Sequence, residues 1–150
     1  MLVYNIPKMT SITEHKRKIK EHLEEIADAI DLGIEKRPVT IGFHCSLCAC
    51  ELLELYLHKI GAISSGKIVK HSWFKRPLPG QKLKPLIERK LPVSFPGKED
   101  LYELLYSLEE NRTALVYGKT PKTQVEVTLR IFNAIKKQLL KKLTEKGVEF

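Results

Sequence analysis

The chain is poor in cysteine: Cys45, Cys48 and Cys50 are its only three in 150 residues, and all lie within one short stretch. Such a cluster cannot build a disulfide framework, and it fits a reducing compartment. No uninterrupted apolar run approaches the roughly 20 residues that span a bilayer. The opening Met1-Leu2-Val3-Tyr4-Asn5-Ile6-Pro7 lacks the basic-then-apolar pattern of a leader. The expectation is a soluble, cytoplasmic protein with no membrane partner. Strand-like alternation of any length is missing, as are internal repeats and any linker long enough to hold separate domains apart. What remains is 43% hydrophobic and 29% charged. A chain of this length buries roughly two thirds of its unfolded surface as one domain, so residues 1–150 are expected to form a single unit.

The apolar spacing is helical throughout. Ser11-Ile12-Thr13-Glu14 has the Ser-x-x-Glu form of a capping box, and Ile19, Leu23, Ile26 and Ile30 follow on one face. The first helix is predicted from about residue 12 to Ile34, stopped by Gly33 and Arg37-Pro38. Pro38 suits the first turn of a second helix, where its missing amide hydrogen would have had no partner. That helix, to Ile60, is apolar almost all round, with His44, Glu51, Glu54 and His58 as its polar stripe. It reads as a central helix. Gly61 ends it, and a connection rich in Gly, Pro and Ser follows, with a short helix over Pro85–Lys90. Leu91 to Gly97 breaks the chain again. Glu99 and Asp100 then favour a helix start whose apolar face is Leu101, Leu104, Leu105, Leu108 and Leu115. Thr120-Pro121 opens the last helix, which carries Val125, Ile131, Phe132, Ile135, Leu139 and Leu143 on one side and Lys136, Lys137, Lys141, Lys142 and Lys146 toward its end. The predicted fold is all-α, an up-and-down bundle of four long helices plus a short fifth.

The net charge of +8 is concentrated. Between Ile63 and Lys90 stand eight Lys or Arg, namely Lys67, Lys70, Lys75, Arg76, Lys82, Lys84, Arg89 and Lys90, against a single acid, Glu88. The rest of the chain holds 18 basic and 17 acidic residues. A local excess of this kind attracts polyanions or an acidic partner, although a solvated loop has the same composition. Trp73 and Phe74 sit among these cations. They serve either to stack bases beside phosphate-binding lysines or to fold back onto the bundle.

Three groups offer chemistry. His44-Cys45-x-x-Cys48-x-Cys50 puts soft ligands on one helix face, yet no second Cys-x-x-Cys completes a tetrahedral site, and buried cysteine in an apolar helix reads as core. The stripe His44, Glu51, Glu54, His58 misses the Glu-x-x-His spacing of di-metal bundles and is expected to face water, a polar network or a second subunit. No metal or cofactor is expected. The third group is Asn111-Arg112-Thr113-Ala114-Leu115-Val116-Tyr117-Gly118-Lys119. There Arg112 has the planar fork that suits a phosphate, or else caps the bundle surface, with Tyr117 closing the core.

The helical hairpin of residues 11–60, the polar connection with Lys70-His71-Ser72-Trp73-Phe74, and the Arg-x-x-x-x-Tyr-Gly segment before a final long helix together resemble the HEPN superfamily. These are small all-helical domains, commonly dimers, found as RNase toxins, as partners of minimal nucleotidyltransferases in toxin–antitoxin pairs, and as nucleotide- or RNA-binding modules. Active members carry an Arg-x(4 to 6)-His motif lining a dimer-interface cleft and cut RNA without a metal. Arg112 fills the arginine slot, and Tyr117 stands where the histidine is expected. Asn111 precedes the arginine and Thr113 follows it, where members often have a polar residue such as Asn. Lys119 fills the slot of a tyrosine that some partner enzymes adenylylate.

Tyrosine is a poor replacement for that histidine. A phenol titrating near 10 is ionised in only about one molecule in 1,000 at neutral pH, whereas an imidazole near 6.5 exchanges protons readily. A working nuclease would need His71 or another imidazole brought to Arg112. The resemblance therefore implies a homodimer with a degenerate catalytic pair, Arg112 and Tyr117. Binding of RNA or nucleotide would fall to Lys67, Lys70, His71, Trp73, Lys75, Arg76, Asn111, Arg112 and Lys119. A nucleotidyltransferase partner and a metal-independent endoribonuclease are the alternatives.

Overall fold

A computed structural model describes residues 8–64, 66–118 and 121–150, with the side chains of residues 8–11 outside that description. The chain is an all-helical bundle: α1 Lys8–Leu32, α2 Pro38–Lys59, the short α3 Leu86–Lys90, α4 Lys98–Tyr117 and α5 Lys122–Glu145, with one 3-10 turn at His71–Phe74. No strand occurs among the described residues. Because α1 already begins at Lys8, Ser11 lies inside the helix rather than at its cap. Pro121 takes the cap position of α5 itself, one residue before the helix starts. Thr120, expected to cap it, lies outside the described residues.

α2 is the hub, packing against α1 on one side and against α4 and α5 on the other. By length and composition it is apolar enough to cross a membrane, against the expectation that no segment qualifies. The fold supplies a reason for that composition. In its most apolar stretch, 67% is buried inside the bundle, and a helix surrounded by others has no face to leave polar. One apolar cluster joins Ile41, Leu52, Leu53 and Leu57 of α2 to Leu101, Leu105, Leu108 and Leu115 of α4 and to Phe132, Ile135 and Leu139 of α5. Gly42 permits close approach there, since a Cβ at that position would come within 3.1 Å of Leu115 Cβ. The end of α2 is a Schellman turn. Gly61 at φ +74° lets its own N–H reach His58 O (3.1 Å) and the Ala62 N–H reach Leu57 O (2.9 Å).

Among the described residues, α2 is the one helix that α1 contacts. The predicted stripe Ile19, Leu23, Ile26, Ile30 is only partly right: Ile19 and Ile26 are buried, but Ile30 is exposed and Ala29 is buried in its place. The inward line on α1 is Ile12, His15, Ile19, His22, Ile26 and Ala29, with steps of three and four. That is the a/d pattern of a coiled-coil seam with two histidines in it.

The long connection between α2 and α4 is anchored at intervals rather than looped into solvent. Val69, Phe74, Ile87, Leu91 and Phe95 are all buried, and Phe74 meets the Tyr102 and Tyr106 rings edge-on and tilted. Between these anchors the lysines point outward. Lys98 ties off the far end, its ammonium donating to Val93 O and pairing with Glu88 Oε1, both at 2.6 Å.

Candidate functional site

The basic connection forms the first candidate. All of Lys67, Lys70, Lys75, Lys82, Lys84, Arg89 and Lys90 are exposed, and among the described residues none has an acidic partner. The one acid of the segment, Glu88, is already paired with Lys98. Arg76 behaves differently. Its guanidinium binds Glu103 at 2.7 Å and Glu110 at 3.1 Å and lies over the Tyr106 ring, so it docks the connection onto α4. Those carboxylates hold the Arg76 guanidinium above its usual value, the hydrogen bond it donates to Glu103 being the largest cause. Lys75, Arg76, Lys84 and Arg89 line an open groove of about 290 Å³ together with Leu78 and Leu83. Phe74 is sealed in the core and cannot stack on a base. Trp73 packs against the same core and remains partly exposed.

Around Arg112 the sequence-predicted residues separate. Arg112 is half-buried. Its Nε is buried without a hydrogen-bond partner, and no described carboxylate pairs with its guanidinium. Asn111 donates to Ser107 O at 2.8 Å and accepts from Gln124, which ties α4 to α5. Tyr117, expected to close the core, is 79% exposed instead. Five residues from Arg112 it is turned by roughly 140° around the helix, so the two do not converge. Lys119 lies outside the described residues.

His71, in the 3-10 turn, donates from Nδ1 to the buried Glu109 carboxylate at 2.9 Å, and Glu109 lies one helical turn before Arg112 on α4. His71 and Glu109 line a small cleft with Ser46 and Cys50. The cysteine cluster is core, as its composition suggested: burial pushes the Cys48 thiol up to about 12 and raises Cys45 and Cys50 as well. Burial of this kind disfavours the thiolate that nucleophilic chemistry needs.

The second candidate lies in the α1–α2 seam, where sequence reasoning saw only half of the residues. Of the expected surroundings, the α2 stripe His44, Glu51, Glu54, His58 has the polar network, which it forms with His15 and His22 of α1 while staying partly exposed. His22 Nδ1 and His44 Nδ1 are 2.9 Å apart. His15 Nδ1 donates to Glu51 Oε2 at 2.7 Å, and its Nε2 stands 3.4 Å from Glu54 Oε2. Glu54 Oε1 accepts the Val69 N–H at 2.6 Å, which pins the root of the basic connection. Burial, and then the Glu51 charge, raise the Glu54 carboxyl above its usual range against the lowering effect of that backbone N–H. Burial and the neighbouring imidazole keep both His22 and His58 below the usual value. The missed signal was present in the sequence: His15 and His22 are seven residues apart, flanking Ile19 at steps of four and three.

Fold and charge thus define a class, an all-helical bundle with a docked basic strap across one side. The comparisons take the assignment no further: no family model, no curated protein and no solved structure matches the chain.

Proposed function

We propose that the protein is a HEPN-like, catalytically degenerate module that binds RNA or nucleotide through its basic segment. The observation that carries this reading is the seven exposed cations from Lys67 to Lys90 without an acidic partner among the described residues, on a segment whose sole acid is neutralised by Lys98. Elsewhere acids and bases nearly balance, so the field is local and directional. Anchoring by Phe74, Ile87 and Arg76 holds those cations in place before any ligand arrives, which lowers the ordering cost of binding. The Arg112 guanidinium, with no described carboxylate beside it, adds a further anion-binding fork. Val39, Phe43 and Tyr117 are exposed at the end of the bundle that carries Arg112, which supports a second copy seated there as a homodimer.

The test is charge reversal with a matched control. Lys75→Glu, Lys84→Glu and Arg89→Glu together should abolish binding of a single-stranded RNA. Lys137→Glu, Lys141→Glu and Lys146→Glu, the same charge change on α5, should leave most of it. Equal loss in both variants would reduce the strap to general electrostatics. Tight binding of an acidic nucleotidyltransferase with no affinity for RNA would favour the partner reading instead.

A second reading, a metal-independent RNase, draws on His71. Its imidazole is oriented by a buried carboxylate one turn from Arg112, in the manner of a general base. RNA cleavage in the presence of chelator, lost in both His71→Ala and Arg112→Ala, would support it. The absence of cleavage leaves the binding module.

A further inference from the structure

The α1–α2 seam gathers donor atoms in an arrangement that hydrogen bonding alone does not account for. One ligand atom each from His15, Glu54 and His58 lie within 4.8 Å of one another. Glu54 and His58 are four residues apart on α2 and so share a face, and His15 enters from α1. The contact between His15 Nε2 and Glu54 Oε2 is 3.4 Å, long for a charge-assisted hydrogen bond, which runs about 2.7–2.9 Å. It matches the separation of two ligands on one tetrahedral ion, about 3.4 Å for bonds of about 2.1 Å.

Two of the three donors are held from behind. His15 gives its other nitrogen to Glu51 at 2.7 Å, the carboxylate–histidine arrangement that orients metal-binding imidazoles. Glu54 commits its other oxygen to the Val69 N–H. The His58 ring packs against that of His15, centroids 5.4 Å apart. The charge count agrees: Glu51 and Glu54 face the seam, and the nearest ammonium, Lys18, reaches only Glu51, at 3.9 Å. A dication would balance both carboxylates. The spacing that excludes a two-metal centre does not exclude one ion, because the third ligand comes from a different helix.

We propose that His15, Glu54 and His58 together bind one divalent transition-metal ion, with zinc the best fit. Two imidazoles and one carboxylate suit a borderline ion, whereas calcium and magnesium prefer all-oxygen sets. Three protein ligands leave the fourth position to water. The ion joins α1, α2 and, through Glu54 and Val69, the foot of the basic strap. This site is independent of the RNA-binding reading and stands or falls separately.

The experiment uses the full chain stripped with chelator and titrated calorimetrically with zinc chloride, followed by cobalt(II) absorption. One zinc per chain is expected. Affinity should fall at least tenfold in His58→Gln and in His15→Gln, about tenfold in Glu51→Gln, which acts only by positioning His15, and not at all in His22→Gln. Cobalt should give the bands of a four-coordinate nitrogen and oxygen site without thiolate charge transfer. Circular dichroism checks that each variant is folded. If one is not, the cobalt spectrum of the unchanged protein still decides. No zinc uptake, uptake unaffected by folded His58→Gln, or a thiolate band from the cysteine cluster would overturn the proposal.

Discussion

α2 has two sides, and they are built from different chemistry. Toward α4 and α5 it presents Ile41, Leu52, Leu53 and Leu57 to a core of leucine, phenylalanine and isoleucine. Toward α1 it presents His44, Glu51, Glu54 and His58 to two more histidines. The first side is where stability resides, because every buried carbon there contributes and nothing needs a partner. The second gains less from burial, because each polar group must be matched. A buried polar seam is better explained by register or ligand than by stability.

The sharpest way to break the comparison is to empty the apolar side. Phe132→Ala, at a fully buried position, should cost about 3–5 kcal/mol in denaturant unfolding. Next comes overpacking: Gly42→Val would drive a side chain into Leu115, 3.1 Å from the position of its Cβ, and should cost about 1–3 kcal/mol. A cost below that for either would mean the core is looser than its packing implies.

The seam should respond to pH where the core does not. Burial, then His44, lower the His22 value, while Glu51 and Glu21 oppose the shift and Lys18 adds to it. The folded imidazole therefore binds its proton less readily than the unfolded one. Stability from this group is complete above the unfolded value of about 6.5 and is lost as pH falls toward the lowered folded value. The melting temperature should drop across that window. The double change His22→Leu with His44→Leu should flatten the drop and leave neutral-pH stability unchanged or slightly raised, as expected when a buried polar pair gives way to apolar packing. An undiminished pH slope in that variant would assign the effect elsewhere. The smallest stability effect, within about 0.5 kcal/mol, is expected for Lys75→Glu, because exposed charges without partners contribute little to folding.

The apolar side was largely legible in the sequence. Helical periodicity located the five helices, and Pro38, Gly61 and Gly97 marked their limits to within a few residues. The start of α1 was misplaced because a capping-box spacing also occurs inside helices, and spacing carries no measure of where helical backbone begins. The basic strap could be read as charge, but not which cation would be paired. That Arg76 docks on Glu103 and Glu110 depends on how α4 meets the 3-10 turn. The seam was half legible. The α2 stripe stood out against an apolar helix, whereas His15 and His22 lay hidden among the charged residues of α1 and gained meaning only once the two helices were paired. Tyr117 was expected to close the core, but it is the last residue of α4 and stands exposed there.

The central claim is that the strap grips a polyanion through charges already set in place. Fluorescence anisotropy of a labelled single-stranded RNA over a salt series tests it most directly. Contacts from five to seven of the free cations predict that log K falls linearly with log salt at a slope of about −3.5 to −5. Affinity independent of salt, or no binding at low salt, would contradict the account.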